Sequence, residues 1–101
     1  MSQMEKIGAH HTTITRDREQ NLVVHYHNTD VVTVRPSGEI ILNTGGWRTV
    51  TTKRRMNQAS AALGLGFTVY QEAGEWFVKI APNETLRFEG QTIAFIPMSR
   101  L

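Results

Sequence analysis

The stretch Thr52–Gly64, TKRRMNQASAALG, is where the sequence stops reading as strand and reads as helix. Met56, Ala59, Ala62 and Leu63 fall on one side of a wheel turning about 100° per residue, and Lys53, Arg54, Asn57 and Gln58 fall on the other. Gly64 or Gly66 supplies the residue that a helix C-terminus favours. Such a helix, placed over Thr52–Leu63, would extend about 18 Å at a rise of about 1.5 Å per residue.

On both sides of it the period changes to two and β-branched residues dominate, the pattern of strands. Before the helix this predicts strands near His10–Thr15, Asn21–His27, Val31–Arg35 and Glu39–Asn43. After it, strands are expected near Phe67–Gln71, Glu75–Ile80, Thr85–Glu89 and Thr92–Pro97. Arg35-Pro36-Ser37-Gly38, Glu72-Ala73-Gly74 and Glu89-Gly90 are turn signals, and Pro82-Asn83 breaks the chain between hairpins. Trp76, Val78 and Ile80 share one face of their strand, while Leu86 and Phe88 match Ile93 and Phe95 across the Glu89-Gly90 hairpin. Apolar faces of this kind need a cover, and one amphipathic helix is available. The expected fold is α+β: a strongly bent antiparallel sheet of about eight short strands, open or partly closed into a barrel, packed on the helix. Residues 1–9 have no clear period and read as a flexible N-terminal arm, leaving residues 10–101 as a single domain.

A chain of 101 residues with 40% hydrophobic residues can build one modest core. Cysteine is absent, which excludes disulfides, thiolate chemistry and Cys-based zinc sites. No apolar run approaches the roughly 18 residues that span a bilayer, and the first residues, MSQMEKIGAHH, lack the layout of a signal peptide. The expected location is therefore cytoplasmic, with no membrane contact.

The net charge of +2 says little globally, but four of the eleven cations (Arg48, Lys53, Arg54 and Arg55) lie within eight acid-free residues. With Thr52 as N-cap, Lys53, Arg54 and Arg55 would fill the first turn, where each exposed cation opposes the helix dipole by about 0.3–1 kcal/mol. An anion-binding role would explain that placement. Free N–H groups, a flexible Gly45-Gly46 approach, the hydroxyls of Thr51 and Thr52 and nearby cations are what a phosphate needs, and Trp47 could stack on a base. Arg55 borders the apolar side and is expected to meet an acid or carbonyls within the fold. Trp47, Arg48, Thr51, Thr52, Lys53 and Arg54 are then the candidate contacts for nucleic acid or for an acidic host protein. The structural alternative pairs the cations with Glu39, Glu72 or Glu75. The segment is not a P-loop.

Histidines cluster early, at His10, His11, His25 and His27. A register pairing Arg16 with Asn21 would put His10 opposite His27 and Thr12 opposite His25, a face that could hold a metal. A slip of one residue destroys it. His10-His11-Thr12 and His27-Asn28-Thr29 also imitate the paired H-x-[ST] motifs of two-histidine phosphodiesterases. Their surroundings are polar and the spacing is short, so no catalytic residue, metal or cofactor is assigned.

LNTGGWRTVTTKRRMNQ (Leu42–Gln58) and LGLGFTVYQEAGEWFV (Leu63–Val78) resemble a set of small proteins encoded by tailed bacteriophages and prophages, with similarity over roughly Val23–Ile96. The resemblance implies a virus-encoded accessory protein that acts by binding in the bacterial cytoplasm. Nucleic acid is the favoured ligand on charge and aromatic grounds, with inhibition of a host protein or defence complex as the alternative and a metal- or His-dependent phosphodiesterase as the second alternative. An exposed edge strand could also pair two copies into a homodimer.

Overall fold

The computed structural model describes residues 12–46 and 48–97. Its elements run β1 (Thr12–Arg16), β2 (Leu22–Tyr26), β3 (Thr29–Val34), β4 (Ile40–Asn43), α1 (Val50–Leu63), β5 (Thr68–Glu72), β6 (Glu75–Ala81), β7 (Glu84–Phe88) and β8 (Thr92–Phe95). The α+β class and the antiparallel pairing are as the sequence pattern predicts. The single bent sheet is not: the strands form a five-stranded sheet, β1-β2-β3-β4-β8, and a three-stranded sheet, β5-β6-β7, and neither closes.

The division turns on Glu89-Gly90, which does not close a hairpin. β7 pairs only with β6, and β8 crosses to β4, setting Phe95 beside Ile40 and Ile93 beside Leu42. Two-residue hairpins require positive φ, and Gly90 does not adopt it. Pro82-Asn83, expected as a break, is instead the loop joining β6 and β7, between the partners Ala81 and Glu84. Ala73-Gly74 behaves as expected, both residues at positive φ (53° and 82°) between the paired Glu72 and Glu75.

The core lies between the two sheets and α1. Val24, Val32, Ile40 and Leu42 face Met56 and Ala59 of the helix and Val69, Trp76, Val78 and Phe88 of the smaller sheet, all within one buried cluster. Phe67 meets Phe95 edge-on with centroids 5.7 Å apart, and Trp76 meets Phe88 at 6.0 Å, geometries that suit the aromatic quadrupole. A bulge in β3 leaves Val31 without a partner on β2, and Val31 and Val32 are both buried as a result.

The helix is fixed to β5 by side chains rather than by packing alone. The Asn57 amide donates to the Val69 carbonyl at 2.9 Å and accepts from the Val69 N–H at 2.7 Å. One turn on, the Ser60 hydroxyl donates to the Phe67 carbonyl at 2.6 Å and accepts from its N–H at 3.1 Å. Both residues thus take the place of a neighbouring strand along the open edge of β5. Asn57→Ala strands two main-chain groups at a buried residue, and a loss of about 2 kcal/mol or more is expected in urea unfolding.

Asp17 organises the β1–β2 turn. Its carboxylate accepts from the N–H groups of Glu19 and Asn21, each at 2.9 Å, and from Asn21 Nδ2 at 3.0 Å. These bonds, that from the Asn21 backbone foremost, hold its pKa below the ordinary aspartate value of 3.8. A depressed pKa stabilises the fold above the unfolded-state value, and the contribution is lost as the pH falls through the folded-state value. Wild type should therefore melt above Asp17→Asn at pH 7, and the gap should close as the pH is lowered below 3.8.

Candidate functional site

Helix α1 begins earlier than its period suggests. Thr49 is the N-cap; its hydroxyl accepts the Thr52 N–H at 3.1 Å, and its carbonyl accepts the Lys53 N–H at 3.1 Å. Val50, Thr51 and Thr52 make the first turn, so Lys53, Arg54 and Arg55 stand in the second, where the dipole penalty has largely faded. Gly64 ends the helix at φ 65°, and the Leu65 N–H returns to the Ser60 carbonyl at 2.9 Å, the longer bond of a Schellman motif.

This start separates the predicted site residues into three places. Thr51 and Thr52 line a hydroxyl-rich cavity of about 350 Å³ between the helix start and the β2–β3 hairpin, with Tyr26, His27, Thr29, Thr44 and Thr49. Gly45, next to Thr44 in the chain, lies at φ 67° against Thr29, where a Cβ would overlap the Thr29 hydroxyl. Asn43 Oδ1 holds the Gly45 N–H at 2.8 Å, and Thr44 Oγ1 holds the Gly46 N–H at 3.2 Å.

Lys53 and Arg54 lie elsewhere, along a shallow groove of about 410 Å³ on the outer side of α1 that Val50, Asn57, Gln58 and Ala61 complete. Lys53 reaches inward, with Nζ 3.4 Å from Gln71 Oε1 and 5.8 Å from the Trp76 ring centroid. Arg54 is exposed and makes no hydrogen bond or ion pair with the described residues.

Arg48 occupies the third place and is engaged by the fold. Its Nη2 lies within hydrogen-bond distance of the carbonyls of Phe88 at 2.7 Å, Gly90 at 2.8 Å and Glu89 between them, so its two N–H groups are shared among three acceptors. The guanidinium also lies over the Trp76 and Phe88 rings, 5.6 and 5.7 Å from their centroids. It neutralises the carbonyls of the β7–β8 crossing, which have no hairpin to serve. Arg55, expected to find a partner within the fold, donates to the Gln58 side-chain carbonyl at 3.0 Å and lies 5.2 Å from the Tyr26 ring centroid. Its Nε is buried without a partner. None of the helix cations pairs with Glu39, Glu72 or Glu75; Glu39 binds Arg35 at 3.1 Å, and Glu75 binds Arg87.

The histidine face does not form in the expected register. Asp17 closes its turn against Asn21, with the Asp17 N–H donating to the Asn21 carbonyl at 3.0 Å. Arg16 then pairs with Leu22 and Thr13 with His25, one residue away from the arrangement that would set Thr12 opposite His25. His25 Nδ1 lies 2.7 Å from Asp30 Oδ1 across the β2–β3 pair. His10, His11, residues 1–9 and Trp47 lie outside the described residues. Among the described residues, no three His, Cys, Asp or Glu side chains are grouped as metal ligands. No described helix is long and apolar enough to cross a membrane.

Sequence reasoning missed Asn57, which falls on the polar side of the wheel, and Ser60; both bind strand backbone. Their spacing of three beside Met56 and Ala59 was the available signal. It also treated Arg48 as a free cation, and only the crossing of β8 explains why it is not.

Over residues 1–95 the chain matches the family described as Kyanoviridae Gp96 protein. It belongs to that family, and so is a phage-encoded protein. No curated protein and no solved structure matches it.

Because Arg48 serves the fold and Arg54 does not, their substitutions should separate. Arg48→Ala is expected to lower the melting temperature, corresponding to about 1–3 kcal/mol for three carbonyls left bare. Arg54→Ala, an exposed substitution, should stay within about 0.5 kcal/mol of wild type. Thermal denaturation of the two variants side by side measures both.

Proposed function

We propose that this phage protein is a nucleic-acid-binding accessory protein working in the host bacterial cytoplasm, and that the outer face of α1 supplies its phosphate contacts. The observation that carries this reading is the placement of charge. Residues 40–71 contain Arg48, Lys53, Arg54 and Arg55 and not one carboxylate. Of these cations, Arg54 is exposed without a partner among the described residues, and Lys53 is held by a 3.4 Å bond to Gln71 and a contact with the Trp76 ring. An exposed arginine without an acid neighbour on its own helix retains its full charge for an outside anion.

In the sequence Trp47 precedes this helix by three residues. In this reading it offers a base-stacking surface to a bound strand whose phosphates meet Lys53 and Arg54. A footprint of two main cations implies modest affinity with no strong sequence preference.

A second reading, an acidic host protein or defence complex bound at the same groove, is favoured by one feature: Val50 is 60% exposed beside Lys53 and Arg54. An exposed β-branched residue among cations suits a protein surface better than a phosphate backbone.

Fluorescence anisotropy with labelled single- and double-stranded oligonucleotides tests the first reading. Log affinity should fall against log salt with a slope of about −2 for duplex, from about 0.9 per neutralised phosphate. Arg54→Glu should abolish measurable binding, and Trp47→Ala should weaken single strands more than duplex. No retention of either oligonucleotide at low salt, together with a host protein that co-purifies after nuclease treatment, would move the assignment to the second reading.

A further inference from the structure

The hydroxyl-rich cavity between the start of α1 and the β2–β3 hairpin is lined by side chains whose hydrogen-bonding capacity the fold does not use. Tyr26, Thr29 and Thr51 are half-buried, and their hydroxyls make no hydrogen bond to a described residue. Thr52 is 4% exposed; its Oγ1 accepts from Thr49 Oγ1 at 3.0 Å, and its own proton has no acceptor among the described residues. Buried polar groups normally have partners, and here several without one border a single cavity of about 350 Å³. That volume falls within the about 300–1,000 Å³ of small-molecule pockets. Any ligand that enters has to match these groups.

The lining narrows the ligand. No Lys, Arg, Asp or Glu is among the described lining residues, so a phosphate or ammonium buried there would lack a counter-charge. The N–H groups of Thr52 and Lys53, which a helix start offers to anions, are already taken by Thr49. A sugar presents O–H donors all round, and no carboxylate is there to accept them. What remains is a neutral, flat ring with donors and acceptors along its edge. Val31 and the Tyr26 ring give the cavity its apolar surface. Tyr26 is held by the His27 ring, 4.3 Å away between centroids, and by the Arg55 guanidinium at 5.2 Å. His27 makes its contact from φ 56°, a conformation that costs a residue with a Cβ.

We infer that this cavity is a nucleobase pocket, taking the base of a free nucleoside or one base turned out of a bound strand. Hydroxyls rotate to donate or accept, so they fit several bases with little preference among them. Val50 and Thr51, consecutive at the start of α1, line the phosphate groove and the cavity respectively. A strand whose phosphates follow the groove therefore passes beside the cavity. The strand as source rests on the nucleic-acid reading above; the free nucleoside does not.

Amide chemical shifts of the isotope-labelled full chain, followed during titration with adenosine, cytidine and uridine, test the pocket. Saturable shifts centred on Tyr26, Thr29, Thr51 and Thr52 are expected, with a dissociation constant of about 0.1–1 mM for an uncharged ligand of this size. Tyr26→Phe keeps the ring without its hydroxyl, and Thr51→Val exchanges a hydroxyl for a methyl. Each should raise that constant about three- to tenfold, and both are near-isosteric, so the rest of the spectrum should stay unchanged. A single-stranded oligonucleotide that moves the same amides and competes with uridine identifies a strand's base as the occupant. One that binds without moving them leaves the pocket to the free nucleoside. An oligonucleotide that does not bind, beside nucleosides that do, keeps the pocket and removes the nucleic-acid reading of the groove. No saturable shift at these amides from any nucleoside, equal shifts with ribose alone, or an affinity indifferent to both substitutions overturns the inference.

Discussion

The edge of β5 has no strand beside it, and everything in the second half of the chain depends on how that edge is satisfied. Asn57 and Ser60 do so from the helix, each offering a donor and an acceptor to one residue's main chain, at Val69 and Phe67. A three-stranded sheet of this size is marginal alone. Bonding its edge to α1 fixes its position against the helix, and the apolar side of α1 is in turn buried against the larger sheet through Met56 and Ala59. Polar side chains therefore set the relative placement of three elements that hydrophobic burial, being non-directional, would leave free to slide.

The second constraint is the crossing from β7 to β8. The chain leaves the small sheet at Phe88 and enters the large one at Thr92, so the carbonyls between them lose the partners a hairpin would give. Arg48 takes three of them with one nitrogen, its guanidinium lying over the aromatic rings of Trp76 and Phe88. Planarity and weak hydration make arginine suited to this position where lysine is not. The loop that precedes α1 is thereby tied to the far side of the fold, and the start of the helix inherits its position.

Period and turn chemistry made the elements legible: all eight strands and the helix fall close to their predicted places. Pairing was less legible, because β-branched alternation specifies which face of a strand is buried but not which strand lies beside it. Phe88 and Phe95 both read as inward-facing across a Gly turn, and nothing local distinguishes a hairpin from a crossing there. The register of β1 on β2 turned on one carboxylate: Asp17 extends the turn to Asn21, and every cross-strand partner of β1 shifts by one. Asn57 was misread because amphipathicity sorts residues by polarity, and a polar residue at the border of the buried side can satisfy backbone as well as face water.

The shift of the N-cap from Thr52 to Thr49 changes the physical weight of the basic cluster. With Lys53, Arg54 and Arg55 in the first turn, the helix dipole would oppose them, and that cost would itself argue for a compensating anion. In the second turn the cost is small, and the Thr49 hydroxyl already satisfies the Thr52 N–H. The case for an outside partner thus cannot rest on helix electrostatics. It rests on neighbours: in this fold Arg35 and Arg87 are matched to carboxylates, Arg48 to carbonyls and Arg55 to an amide and a ring. Lys53 meets an amide and a ring, and Arg54 is the cation of α1 without a partner among the described residues, on a helix with no acid to screen it. A charge with no partner among the described residues is where selection for binding can act at little cost to stability.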